Sequence, residues 1–147
     1  MFNEFIPRKT ETTYLGVNLD QRLSFKHHIN KTSAKAYAQF HKLYPLFKSP
    51  SISIWSKKTL YIMLIRTSML YGYPAWSFLN KSLFSKLRGL QRSVLRTITG
   101  ADYVTSNNFL HSVLNIESIE EISSKIQEKF IISTKNHPNY IIQKISN

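Results

Sequence analysis

Leu60-Tyr-Ile-Met-Leu-Ile-Arg-Thr-Ser-Met-Leu70 is the stretch on which the reading of the fold turns. On a helical projection Leu60, Met63, Leu64, Leu70 and Tyr71 fall on one side, and Tyr61, Ile62, Ile65 and Met69 cover the other. A helix apolar all round is either buried in a core or spans a membrane. A span needs about 20 apolar residues. Lys57 and Lys58 precede this run, Arg66 interrupts it, and Tyr71-Gly72-Tyr73-Pro74 ends it. The stretch therefore predicts a central buried helix on which the rest of the chain packs. Its lone charge, Arg66, needs a partner or a route to the surface, because an unpaired buried charge is costly.

Upstream of this helix, Thr12 to Leu19 reads as a strand, with Leu15, Val17 and Leu19 on one face and Tyr14 on the other. Gly16 within it suggests a bulge or the close approach of another backbone. Asp20-Gln21-Arg22 is a plausible turn, and Leu23-Ser24-Phe25 a return strand. A hairpin this short needs a sheet or a helix to cover it. A helix then runs from Lys26 to Leu43 and ends before Pro45. Its apolar arc is Phe25, Ile29, Ala36, Phe40 and Leu43, with Lys31, Lys35 and Lys42 along one flank. Ser53 is the expected N-cap of the central helix.

Downstream, Tyr71 to Trp76 is dense in aromatic residues, which serve either as a stacking platform for bases or as a packed corner between helices. Packing is the commoner use. Lys81 to Thr99 reads as the next helix, with Asn80 as N-cap and Gly100 past its end. Leu83, Leu87, Leu90, Val94 and Ile98 form its stripe, and Lys81, Arg88, Arg92 and Arg96 lie opposite with no acid on the helix. Aligned guanidinium groups suit phosphate oxygens. A short helix follows from Asn107 to Leu114. Ser118-Ile-Glu-Glu121 is a capping box opening a further helix whose apolar face is Ile119, Ile122, Ile126 and Phe130. Asn136-His137-Pro138-Asn139 stops it. The fold class is mainly α, a bundle of about five helices preceded by a short N-terminal β-hairpin.

The charge is uneven. The 147 residues carry a net charge of +12, and the pI is about 10.0. Residues 1–100 hold 16 Lys and Arg against three acids, whereas residues 101–147 hold four basic residues and five acids. Such a basic block points to a polyanion, nucleic acid first and an anionic membrane surface second. With no cysteine there is no disulfide or thiolate zinc site, and His27, His28, His41, His111 and His137 show no metal-binding spacing. No signal-peptide or transmembrane pattern is present, so an intracellular site, nuclear or cytoplasmic, is expected.

Tyr14-Leu-Gly-Val-Asn-Leu-Asp20, then Leu23-Ser-Phe-Lys-His-His-Ile29, is a familiar series. Leu60-Tyr61, Ile65-Arg66, Leu70-Tyr71-Gly72-Tyr-Pro74-Ala-Trp76 and Leu95-Arg96-Thr-Ile98-Thr-Gly100-Ala101 continue it, as do Asn108-Phe-Leu-His111 and Asn136-His-Pro-Asn139. In this order and spacing, from about Thr12 to Ile142, they resemble the carboxy-terminal part of reverse transcriptases (RNA-directed DNA polymerases) from jockey-like non-LTR retrotransposons. The resemblance implies that residues 12–25 form the hairpin at the end of the polymerase palm. Tyr14, Leu15 and Gly16 would there support the primer. It implies a thumb-like basic helical region over 26–100, with Lys31 and Lys35 on its first helix, and a helical extension over 101–147. Residues 1–11 form an N-terminal segment without pattern. The role of the arginine helix rests on its projection alone.

The same resemblance implies a template–primer of RNA and DNA as partner and Mg²⁺ in the parent family. The paired aspartates that would hold the ions belong upstream of the hairpin. This chain has only Asp20 and Asp102, and Asp20 reads as a turn residue. No catalytic residue, metal ligand or cofactor is therefore assigned to it. The leading expectation is part of a retrotransposon polymerase that grips nucleic acid and lacks the catalytic carboxylates. The alternatives are a helical protein-interaction module and a non-functional remnant. Nothing in the sequence indicates an oligomeric state.

Overall fold

The structure is a computed structural model that describes residues 9–78 and 81–144, the side chains of residues 81–83 excepted. It is mainly helical with an N-terminal hairpin, as the patterning predicts. Strand β1 (Glu11–Tyr14) pairs antiparallel with β2 (Val17–Asp20), and Tyr14 faces Val17 across the turn. The hairpin turn is therefore Leu15-Gly16. The expected turn at Asp20–Arg22 also forms, closed by Leu23 N–H on the Asp20 carbonyl at 2.9 Å, but it leads into the first helix, and Leu23–Phe25 is not a strand. Both residues of the hairpin turn have positive φ, 46° and 79°, the tight geometry that matches strand twist. Leucine there is strained by about 1 kcal/mol, and nothing in its side chain announces the position.

Asp20 has another task. Its carboxylate accepts hydrogen bonds from the backbone N–H groups of Arg22, Ser24 and Phe25 and from the Ser24 hydroxyl, at 2.9–3.0 Å. The Ser24 backbone donor comes first in holding this carboxyl below its usual range. The hairpin is thereby tied to the start of α1 (Lys26–Lys48).

Helix α1 runs past Pro45, against expectation. Proline removes one hydrogen bond, but Phe47 is fully buried beyond it and Ser49 N–H closes the end on the Pro45 carbonyl. Packing of Phe47 holds the last turn. Ser53 caps α2 (Ile54–Leu60), its side chain accepting from Ser56 N–H. The chain continues through a π-helical segment (Tyr61–Arg66) into α3 (Thr67–Met69). Tyr61, Ile65, Met69 and Leu70 are buried, while Met63 is 64% exposed and Leu64 lies at the surface. The central helix is thus one-sided, not buried all round. Tyr61, Ile65 and Met69, four residues apart, share the inner face, as the projection places them. Arg66 is half-buried, which gives its charge a route to the surface, and among the described residues no carboxylate pairs with it.

Gly72, at φ 66°, turns the chain into α4 (Tyr73–Trp76). Trp76 is buried edge-on to Tyr73, with centroids 4.8 Å apart, and Phe84 completes the cluster. The aromatic stretch is a packed corner from which only Tyr71 and Phe78 emerge among the rings. Helix α5 (Lys81–Thr99) has the predicted bounds and ends at Gly100, φ 67°. The expected cap Asn80 and the side chains of Lys81 and Leu83 lie outside the described residues. Leu87, Leu90, Val94, Leu95 and Ile98 are buried against α1, α2, α6 (Asn107–Leu114) and α7 (Ile119–Lys135). The capping box of Ser118 and Glu121 forms as predicted. Buried Gln91 holds the entry to α7, donating to the Glu117 carbonyl and accepting from Ile119 N–H. Helix α8 (Tyr140–Gln143) follows.

Candidate nucleic-acid interface

Three elements meet at the hairpin tip. Tyr71 donates its hydroxyl to the Leu15 carbonyl at 2.8 Å. A Cβ on Gly16 would come within 3.0 Å of the Tyr71 ring, and one on Gly72 within 2.8 Å of Val17 Cγ2. Both glycines are needed for this approach as well as for their positive φ. The Tyr71 carbonyl accepts from Trp76 Nε1 (3.0 Å) and faces His28 Nε2 (3.4 Å). His28 Nδ1 accepts from Asn18 N–H at 3.3 Å, so the ring proton sits on Nε2 and points at that carbonyl. Burial pushes the imidazole pKa down, the Tyr71 carbonyl partly opposes this, and Lys31 lowers it further. His28 is accordingly a neutral stitch between hairpin and helices.

Beside the stitch lies a groove of about 450 Å³. Lys31, Thr32 and Lys35 of α1 form one wall, Thr67, Ser68 and Tyr71 the other, and Gly16 and Asn18 close the end. None of its lining residues is acidic. Lys31 and Lys35 stand one helical turn apart, so their stems emerge on the same side. The Asn18 amide is fixed: Oδ1 accepts from the Thr13 hydroxyl at 2.8 Å, and Nδ2 has no hydrogen-bond partner in the protein.

Of the expected site residues, the structure brings Lys31, Lys35 and Gly16 together. Tyr14 and Leu15 are exposed at the adjoining tip, and Lys42 is exposed farther along α1, outside the groove. The arginine face of α5 differs from its projection. Arg88 Nε pairs with Glu120 of α7 at 3.1 Å. Arg96 donates to the Thr105 carbonyl at 3.0 Å and lies 4.9 Å over the Tyr103 ring. Arg92 is exposed and borders a hollow with Asn107, Asn108 and His111. The expectation that no acid meets this face is overturned, because the acid comes from another helix. The Lys81 side chain lies outside the described residues. Asn18, His28 and Tyr71 were not singled out as site residues, although all three fall within the motifs that carry the resemblance. The motifs at residues 14–20, 23–29 and 70–76 thus converge on one joint.

Among the described residues no group of three or more His, Asp or Glu is placed to hold a metal ion, and no helix is long and apolar enough to cross a membrane.

The chain is 25% identical over 141 residues to a probable RNA-directed DNA polymerase from transposon BS of Drosophila melanogaster. It is 27% identical over 142 residues to another, from transposon X-element of the same fly. These matches cover 95% and 96% of the chain. The chain is similar to one small part of transposon RNA-directed DNA polymerases. The resemblance drawn from its motifs stands. An RNA-directed DNA polymerase from mobile element jockey of D. melanogaster is 25% identical over 90% of the chain. The chain spans only 14–16% of the length of these relatives. No protein-family model matches it, and no solved structure does.

Proposed function

We propose that the chain serves as a nucleic-acid-gripping region of a retrotransposon RNA-directed DNA polymerase, holding the template–primer while the chemistry resides elsewhere in the enzyme. The observation that carries this is the groove, which sets Lys31 and Lys35 against hydroxyl groups with no carboxylate on its lining. Lysine ammonium groups there displace counterions from the phosphate backbone, which gives affinity without reading sequence. The Tyr14-Leu15-Gly16 tip adjoins the groove and would meet the primer strand. The chain would act in the nucleus or cytoplasm, where the element is copied. The pairing of Arg88 and Arg96 favours α1 over α5 as the main contact.

Binding of an RNA–DNA template–primer, followed by fluorescence anisotropy across a salt series, tests this reading. Replacing both Lys31 and Lys35 by Gln should flatten the slope of log K against log salt by about 1.4–1.8. A wild-type chain whose binding ignores salt, or a double variant with the wild-type slope, would refute it.

A further inference from the structure

We propose that Tyr103, backed by Arg96, is a stacking platform for one base of an unpaired nucleic-acid strand, and that Arg92 takes the adjoining phosphate. This surface shares no residue with the α1 groove. It takes a different ligand, a single strand rather than a duplex, so the two readings can fail separately.

Tyr103 and Val104 are the two corner residues of the turn between α5 and α6, which Thr105 N–H closes on the Asp102 carbonyl at 3.1 Å. Such corners mostly hold Gly, Asn, Asp or Ser, which make the bend easily and face water. Here Tyr103 is 87% exposed and Val104 92%, so neither side chain serves the core. A lone exposed apolar residue would need no comment, but this ring is held. Arg96 donates to the Thr105 carbonyl at 3.0 Å, which ties its guanidinium to the turn, and the guanidinium lies 4.9 Å over the Tyr103 ring centre. One face of the ring is thus covered by a planar cation, and the other is open to water. A ring whose tilt is set beforehand loses little freedom when a flat partner settles on it.

The neighbours select the partner. Arg92 stands one turn before Arg96 on the same face of α5 and is exposed. Glu120 is engaged by Arg88, and among the described residues no carboxylate pairs with Arg92. Asp102 is the only acid in the turn, and it faces water. An open aromatic face beside an unpaired guanidinium matches a base next to its phosphate. The base stacks on the ring, and the guanidinium forks onto the phosphate oxygens. Within a duplex each base is already stacked on its neighbours, so the platform serves a strand whose bases are free. Stacking tolerates any base, and no sequence preference follows from it. An apolar protein segment would use Val104 and the ring but leave Arg92 without a role.

The full chain is titrated with unstructured oligo(dT), with oligo(U) and with a blunt duplex. The ring-proton signals of Tyr103 should move upfield and saturate with either single strand, and stay in place with the duplex. By fluorescence anisotropy, Tyr103→Ala should weaken single-strand binding about tenfold at fixed salt, the loss of one stacked base. Tyr103→Phe keeps a flat ring and should bind as the wild type does. Tyr103→Leu keeps an apolar side chain without the flat face and should bind as poorly as Tyr103→Ala. Arg92→Gln should flatten the single-strand slope of log K against log salt by about 0.7, one phosphate contact. All four variants replace exposed side chains, so the melting temperature should hold. Wild-type affinity in Tyr103→Ala would overturn the platform. Equal binding by the Leu and Phe variants would overturn it too, marking an apolar docking contact instead. A wild-type slope in Arg92→Gln would overturn the phosphate assignment. None of these results touches the dependence of duplex binding on Lys31 and Lys35, by which the gripping function is judged. Loss of that dependence, with the single-strand results as expected, would overturn the grip alone.

Discussion

On α1, Lys31 and Lys35 stand over a groove bordered by amides and hydroxyls; on α5, Arg88 is paired with Glu120, and Arg96 is held by a carbonyl and a tyrosine ring. In one dimension the two faces look alike, and the arginine face looks the stronger. The difference lies in what packs beside each. No acid occurs between Asp20 and Asp102, and the groove is assembled wholly from residues 16–71. Asp20 borders that stretch, but its carboxylate is consumed by the start of α1. The α5 face looks toward α7, which brings Glu120 from the charge-balanced last third. A cation's availability to a polyanion is thus set by its tertiary neighbours more than by its own helix.

The largest effect that separates the two regions concerns glycine. Gly72→Ala would force a Cβ to within 2.8 Å of Val17 Cγ2 at a φ of 66°. Valine is stiff at χ1 and cannot swing clear cheaply. The left-handed strain and the overpacking together should destabilise the chain by about 2–3 kcal/mol. Gly89→Ala, within α5, meets nothing within 4 Å and should instead stabilise it by about 0.5–1 kcal/mol. Chemical denaturation of both variants checks the pair. Equal effects would mean that the hairpin joint is no tighter than an open helix surface.

How far the sequence could be read follows from the range of the interactions. Helix α5 from Lys81 to Thr99, the Ser53 cap and the Ser118–Glu121 box were legible because each is decided within four residues. The hairpin was legible as a hairpin but not in its turn, because Leu15 adopts a positive φ that Tyr71, 56 residues away, helps to secure. Helix α1 outran Pro45 because the buried Phe47 outweighs a missing bond. The projection of the central helix sorted its two sides correctly, Tyr61, Ile65 and Met69 being buried together. It did not show that the Met63 and Leu64 side is left uncovered, which depends on what packs there. For the site, Lys31 and Lys35 were found by spacing. The roles of Asn18 and His28 were not, since each is defined by a partner on another element.

A pH series sharpens the comparison at smaller cost to the fold. Burial holds the folded His28 pKa below its ordinary 6.5, so between those two values the unfolded chain is protonated and the folded chain is not. The stability this contributes is present above pH 6.5 and is lost as pH falls below it. A proton on Nδ1 also removes the acceptor of Asn18 N–H and adds charge beside Lys31. At the α7 entry, Glu121 accepts from Ser118 N–H, and that bond holds its carboxyl below the ordinary 4.5. That contribution stays intact until pH falls through 4.5. Hydrogen exchange between pH 7 and 5 should therefore show Asn18 N–H losing protection while Ser118 N–H keeps its own. Unchanged protection of Asn18 down to pH 5 would remove His28 as the stitch of the joint.

The smallest effect on stability, and the most direct test of the contrast, comes from Glu120→Gln. Arg88 and Glu120 are both about half exposed, and an exposed pair of this kind contributes under about 1 kcal/mol, further screened by salt. Glu120 also sits in the first turn of α7, where a negative charge is favoured by a few tenths of a kcal/mol. The melting temperature should therefore move little. The binding surface should change more, because removing the carboxylate frees Arg88 beside the exposed Arg92. If the α5 face is silent only because α7 neutralises it, the salt slope for duplex should steepen by about 0.9, one added phosphate contact. The Lys31 and Lys35 dependence should persist in the same variant, since the groove does not touch Glu120. An unchanged slope would place the arginine face outside the contact altogether. A steeper slope combined with loss of the lysine dependence would make α5 the principal surface and reverse the assignment.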